Sequence, residues 1–232
     1  MALLLSFETA TRHCAVALCE DDKLLAQQVE DGERFSHAEK LNVFIEEVMR
    51  EAGKGMHDLN AVAVGIGPGS YTGLRIGLSA AKGLCFALDI PLIGLGTLDV
   101  LTHELRASGA APVDPGVLHP MVDARRMEVF TRPMEGPGIL GSAARPLILD
   151  DAWCMSLPTD RVHLVFGDGA DKATDLWARH AHILHVTGIR PSARGLATAA
   201  ADAFHRKAFA DLAYLVPDYG KDANVTVAKR AQ

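Results

Sequence analysis

The sequence lacks any apolar stretch approaching the roughly 18 uninterrupted residues of a membrane span, which excludes a helical membrane protein. Glu8 interrupts the apolar start before a signal-peptide core could form, so a cytoplasmic product is expected. There is no C-x-x-C pair. The four cysteines, Cys14, Cys19, Cys85 and Cys154, stand scattered among apolar residues, which fits reduced, buried thiols better than a disulfide frame or a zinc site. Positive charge is not in excess either: the formal net charge is −6, which argues against a chain that grips nucleic acid alone. Any RNA is then carried mostly by another subunit. Both common nucleotide signatures are missing, since no Gly-Lys-Ser/Thr ending follows the glycines near residue 67 and no G-x-G-x-x-G opens the chain. What remains is 232 residues with 49% hydrophobic content, enough to bury one large core or two small ones.

The most constraining segment runs from Val64 to Leu84. A strand over Ala61 to Ile66 turns on Gly65, Gly67, Pro68 and Gly69 and enters a helix from Thr72 to Leu88, with Ser70 and Thr72 as plausible caps. Such a corner points free N–H groups and the positive end of a helix dipole outward, so it can hold a phosphate or a carboxylate. The plainer reading is a tight connection whose glycines serve geometry alone. Arg75 weighs slightly against it, because a cation in the first helical turn opposes the dipole and usually has other employment. Further along the helix, Gly73, Gly77 and Ala80 or Ala81 recur at helical spacing and leave one stripe almost bare, although Gly77 and Gly83 each cost roughly 1 kcal/mol relative to Ala. A bare stripe admits another backbone, either from the sheet of the same domain or from a partner chain.

Read along its length, the chain alternates. Leu3 to Glu8, His13 to Cys19 and Leu24 to Val29 read as an antiparallel meander. Ser36 with Glu39 forms a capping box ahead of a helix that places Leu41, Phe44, Ile45, Val48 and Met49 on one apolar stripe and stops at Gly53. The strand Ala61 to Ile66, the small-residue helix, a strand over Pro91 to Leu95 and a helix from Thr97 to Arg106 then continue a β-α-β-α series, which implies parallel pairing. Ala107 to Gly116 marks a composition change, so a first subdomain over 1–108 and a smaller second one over 109–232 are expected. In the second, Leu118 to Val122 and Met127 to Arg132 make a hairpin around Asp123. A strand at His163 to Phe166, a helix after Asp168, a strand at Ile183 to Val186 and a helix from Ser192 to about Ala210 follow.

This order is that of an α/β actin-like or Hsp70-type ATPase fold, two mixed-sheet subdomains with covering helices, the second reduced and the last helix packing back on the first. The motifs F-E-T-A-T-R-H-C-A-V-A-L from Phe7, F-S-H-A-E-K-L from Phe35, G-I-G-P-G-S-Y-T-G-L-R-I-G-L-S-A-A-K-G-L from Gly65, I-P-L-I-G from Ile90 and V-D-A-R-R-M-E-V-F from Val122 strongly resemble the bacterial TsaB family, also called YeaZ. After about Arg132 only F-G-D-G-A from Phe166 and the tail L-A-Y-L-V-P-D-Y-G-K-D from Leu212 are familiar.

The resemblance implies a non-catalytic scaffold in the synthesis of threonylcarbamoyladenosine beside the anticodon of tRNA. Such a subunit binds the catalytic paralogue TsaD and, with it, the ATPase TsaE, meets tRNA mainly through the complex, and forms a homodimer when alone. No intrinsic cofactor is implied, but ATP or ADP can be trapped at the subunit junction. The helices Ser36 to Ala52 and Thr72 to Leu88 would dock on TsaD through Leu41, Phe44, Ile45, Val48, Gly73, Gly77, Ala80 and Ala81. Gly77→Leu is then expected to leave the monomer folded and to abolish binding.

In TsaD a metal is held by an H-x-x-x-H pair, and those positions fall here on Thr97 and Leu101, neither of which replaces imidazole. His103 reads as a surface or capping residue. His180, His182 and His185 have no acidic or cysteine companion in their own segment.

The candidate phosphate contacts are Glu8, Thr9, Gly67, Gly69, Ser70 and Arg75. Glu8 sits where the ATPase fold places an acidic residue facing the metal-phosphate group, or else caps a strand-end turn. Asp168 falls at the second phosphate turn without its G-x-T continuation. Ser70 lacks the elbow of a nucleophile. Asp123, Arg125 and Arg126 most simply form a polar hairpin tip, with contact to a partner or tRNA as the alternative. Two other functions remain open, a small stand-alone ATPase or kinase and a metallopeptidase-like enzyme.

Overall fold

The six residues of β1 (Leu3–Glu8) are buried without exception, polar ones included, because the strand lies at the centre of a sheet covered on both faces. In the computed structural model, which describes residues 1–221 apart from 22, 32–36, 113, 115, 136, 137 and 140–142, β1 pairs antiparallel with β2 (His13–Glu20). β2 continues antiparallel to β3 (Lys23–Asp31), completing the expected meander. After α1 (His37–Glu51), β4 (Ala61–Gly67) pairs parallel with β1, and α2 (Tyr71–Leu88) carries the chain over to β5 (Leu92–Gly96), parallel to β4. The order is β3-β2-β1-β4-β5. Ser36, the expected cap of α1, lies outside the described residues.

Alternation along β1 divides the core. Leu3, Leu5 and Phe7 join Leu41, Phe44, Ile45, Val48 and Met49 of α1 and Leu78, Ala81 and Cys85 of α2 on one face. The expectation that Leu41, Phe44, Ile45 and Val48 meet a partner is thereby corrected: they form the contact between α1 and its own sheet. Leu4, with Ala61, Ala63, Ile93 and Leu95, faces the other way.

α3 (Thr97–Ser108) leads into the second sheet, built on β6 (Val117–Asp123), β7 (Glu128–Thr131), β8 (Met134–Glu135), β9 (Gly138–Ile139) and β10 (Arg145–Ile148). α4 (Asp151–Ser156), β11 (His163–Phe166), α5 (Asp168–Asp171), α6 (Thr174–Trp177), β12 (Ile183–Val186) and α7 (Ala193–His205) follow. Its main path is β10-β7-β6-β11-β12, with β11 parallel to both neighbours and β6–β7 the expected hairpin. The short strands β8 to β10 and the helix α4 were not foreseen, being two to six residues long and too short to show a period.

Two helices join the sheets. Val100 of α3 packs with Leu196, Ala199, Ala200 and Ala203 of α7 on the first sheet, whereas Leu98, Leu101 and Leu105 of α3 enter the core of the second with Leu118, Val122, Leu164 and Phe166. The alanines keep α7 close to β1. α7 ends at His205, five residues short of the expected Ala210, because the chain turns at Lys207, where φ is 55°.

The bare stripe of α2 lies against the turn between β1 and β2. A Cβ at Gly73 would collide with the Thr9 carbonyl and one at Gly77 with Thr9 Oγ1, while that hydroxyl donates to the Gly73 carbonyl at 2.8 Å. Ala81 is fully buried and Ala80 half-buried against the same core. The small residues therefore serve packing within the chain, and the expected outcome for Gly77→Leu changes. That variant should lose about 1–3 kcal/mol or more through overpacking, seen as a lowered midpoint in urea unfolding. Gly83 provides the contrast, because a Cβ there would meet nothing within 4 Å. Gly83→Ala should gain about 0.5–1 kcal/mol in the same measurement.

Candidate functional site

The site begins at the turn that follows β4. Ser70 caps α2 by accepting from Gly73 N at 3.3 Å, as its position suggested, but its own N–H donates to the Ala10 carbonyl at 2.6 Å. A side chain at Gly69 would strike that same carbonyl. At Gly67, where φ is 112°, it would strike the carbonyl of Asp218, whose N–H donates to Ile66 O at 2.7 Å. The corner that sequence alone marks as an anion site is thus largely closed by its own chain, from the β1–β2 turn on one side and from the strap 211–221 on the other. Arg75 belongs to the strap as well. Its Nε donates to Tyr219 Oη at 3.0 Å and its guanidinium stacks 4.1 Å from the Tyr71 ring centre, with the two tyrosines stacked at 4.8 Å. Of the six candidate phosphate contacts, Gly69 and Ser70 line the open cleft, and Glu8, Thr9, Gly67 and Arg75 do not.

Glu8 lies fully buried beneath that cleft. Its Oε1 accepts from Thr9 N at 2.9 Å and from Ala10 N at 2.7 Å, so the carboxyl caps the β1–β2 turn; Oε2 has no partner. Gly65 is required beside it, since any side chain there would occupy the position of the carboxyl group. Burial pushes the Glu8 carboxyl up to about 7, against the smaller opposing pull of the two N–H donors.

Thr97 and Leu101, where the resemblance led us to look for a metal-binding histidine pair, are equally committed to packing. Thr97 opens α3 in full burial, and Leu101 sits in the core of the second sheet. No group of three or more His, Cys, Asp or Glu able to hold a metal occurs among the described residues. His103 is half-buried, and burial lowers its pKa. Two of the imidazoles near the end of the second sheet find acidic companions outside their own segment: His180 meets Asp151 at 3.0 Å and His185 meets Asp171 at 2.9 Å. Those acids come from α4 and α5, beyond the reach of a local motif.

Between the sheets opens a cleft of about 1270 Å³. One wall is the β1–β2 turn and the start of α2, with Arg12, His13, Ser70 and Tyr71; the other is the β6–β7 tip with Arg125 and Arg126, joined by Asp168, Arg190 and Lys221. Asp123 shapes the tip. Its Oδ1 accepts from Arg125 N at 2.9 Å and pairs with Lys172, while its own N–H donates to Asp168 Oδ1 at 3.2 Å. Asp168 therefore braces the hairpin instead of forming a phosphate turn, and its burial raises its pKa. Arg125 and Arg126 both adopt left-handed backbone, φ 71° and 51°. Sequence reasoning reached the hairpin tip and missed Arg12, Arg190 and Lys221, which only the fold brings to the same cavity.

Glu8 gives the fold a pH dependence. Its carboxyl titrates near 4.5 when unfolded and near 7 when folded, so between these values the folded chain holds the extra proton. Stability accordingly falls as pH rises through that window, by about 3 kcal/mol in all. Thermal melting of Glu8→Gln should lack this fall, and a variant with the parent's pH profile would contradict the assignment.

A family model described as TsaD, tRNA N6-adenosine threonylcarbamoyltransferase, matches residues 34–232. The tRNA threonylcarbamoyladenosine biosynthesis protein TsaB of Escherichia coli strain K12 is 35% identical over 128 residues, 55% of this chain and 52% of that relative. The chain spans about half the length of the curated relatives it matches. Among solved structures, YeaZ from Pseudomonas aeruginosa superimposes with a TM-score of 0.78 at 24% identity, over 94% of this chain and 100% of that one. An inorganic polyphosphate/ATP-glucomannokinase from Arthrobacter sp. strain KM superimposes with a TM-score of 0.55 at 13% identity, over 89% and 100%. The fold is that of the actin-like ATPases. By the match over most of its length and by its curated relatives, the chain belongs to the TsaD family, in its TsaB (YeaZ) group.

Proposed function

We propose that this chain is a non-catalytic scaffold subunit in tRNA threonylcarbamoyladenosine biosynthesis, which binds a TsaD paralogue and through it TsaE. The observation that carries the reading is the outward face of α1 and α2. Phe86 is 81% exposed and Val43 46% exposed, and Ser79, Gly83 and Ala87 lie exposed around Phe86 along α2. A large aromatic left in water on a helix of small neighbours suits a helix-packing partner. The two helices are those expected from sequence, but the docking residues move from Leu41, Phe44, Ile45, Val48, Gly73, Gly77 and Ala81 to the opposite side. A paralogue of the same fold offers equivalent helices, and in its absence a second copy of this chain would use the same face.

The non-catalytic part of the reading is supported by the site chemistry. Glu8 is sealed under the cleft, the glycine turn is closed by Ala10 and Asp218, and the metal positions carry Thr97 and Leu101. ATP or ADP at the subunit junction would be reached from Gly69 and Ser70 in the cleft wall or from Arg75 beside the strap. No helix among the described residues is long and apolar enough to cross a membrane; a cytoplasmic place of work belongs to this proposal.

Phe86→Asp tests the reading. Its melting temperature should stay within experimental error of the parent, as for exposed positions generally, and co-elution with TsaD on size exclusion should be lost together with tRNA modification by the reconstituted subunits. Undiminished co-elution would remove this face from the interface, and ATP hydrolysis by the chain alone would favour a stand-alone ATPase.

A further inference from the structure

We infer that the cleft between the two sheets is a docking groove for the phosphodiester backbone of a single-stranded RNA loop, a reading that rests on the proposed role in tRNA modification and adds a site to it. The chain is acidic overall, yet five cations line this cavity against two acids, Asp123 and Asp168. Some of that charge is already matched. Arg190 pairs with Asp171 at 2.6 Å, Lys221 pairs with Glu128, and Asp123 is bound by Lys172. Arg12, Arg125 and Arg126 have no ion pair among the described residues and stand exposed on facing walls. Guanidinium groups suit phosphate oxygens because they bind them in a planar, two-pronged fashion.

Three features favour a polymer over a single nucleotide. A triphosphate in a strand–turn–helix corner needs converging backbone N–H groups, whereas Ser70 N and Gly73 N are already donated to Ala10 O and Ser70 Oγ. The free guanidiniums are divided between two walls instead of meeting at one point, and the cavity exceeds the ~300–1,000 Å³ common for small ligands. The hairpin tip is held in place by the hydrogen bonds of Asp123, so the two arginines are presented from a fixed support.

Fluorescence anisotropy with the full chain and a fluorescein-labelled RNA stem-loop tests the inference. Because Arg125 and Arg126 both have positive φ, the double variant Arg125→Gly/Arg126→Gly removes charge and suits the backbone. Its affinity should fall about tenfold at low salt, and the slope of log affinity against log salt should shrink by about 1.4, roughly 0.7 for each lost contact. Arg12→Ala, on the other wall, should lower the slope by about 0.7, and Arg125→Lys/Arg126→Lys should retain the parent slope. Unchanged affinity and slope in both charge-removing variants overturn the inference. So does arginine-dependent binding of ATP in the absence of RNA binding. Phe86 lies outside the cleft, so co-elution of the arginine variants with TsaD is read separately: retained co-elution with lost RNA affinity supports the groove, and failure of the scaffold reading leaves the anisotropy result intact.

Discussion

The seating of the β1–β2 turn against the start of α2 is the contact on which the rest depends. Thr9 reaches into the helix, with its carbonyl over Gly73 and its hydroxyl over Gly77, while Ala10 accepts from Ser70 N and Glu8 caps the turn from below. Three glycines are needed, at 69 and 73 because the backbone of the turn approaches so closely that no Cβ fits, and at 77 because the Thr9 hydroxyl occupies the place of a Cβ. In a nucleotide-binding member of the same fold architecture, a strand–glycine-turn–helix corner has its N–H groups available for phosphate. Here several of those groups are used internally, and the fold retains the corner's shape without its openness.

That internal use decides which surfaces are left for other work. The inward stripes of α1 and α2 are consumed by the first sheet, so the outward stripe around Phe86 is what a partner helix can meet. The strap 211–221 closes the other side of the glycine turn and engages Arg75 through Tyr219, which leaves the cleft charge to Arg12, Arg125 and Arg126. The exposed apolar stripe and the unpaired arginines thus occupy separate parts of the molecule, one on a helix surface and one between the sheets.

Much of this was legible in the sequence. The meander, the helix over 37–51, the small-residue helix with its Ser70 cap and the β6–β7 hairpin all carry periodicity or cap chemistry strong enough to read locally. The orientation of the small-residue stripe was not, because a row of Gly and Ala fits a sheet turn of the same chain as well as a partner helix, and only the position of Thr9 distinguishes them. Nor could sequence spacing pair His180 with Asp151 or bring Arg12 and Lys221 to one cavity, since those contacts join separate elements. Glu8 was legible as well: of the two roles its place at the strand end allows, facing a ligand or capping the turn, the buried carboxyl takes the cap.

The central claim, that the outward rather than the inward side of α2 is the docking face, is tested most directly by thiol labelling. All four native cysteines are buried, and burial pushes Cys14 and Cys19 up to about 12 and Cys85 and Cys154 up to about 11, so they react slowly with maleimide. A single cysteine introduced by Ser79→Cys should label rapidly in the dilute free chain and become protected when TsaD is added, whereas one introduced by Ser156→Cys on α4 should be unaffected. Equal labelling of Ser79→Cys with and without a bound TsaD would contradict the account.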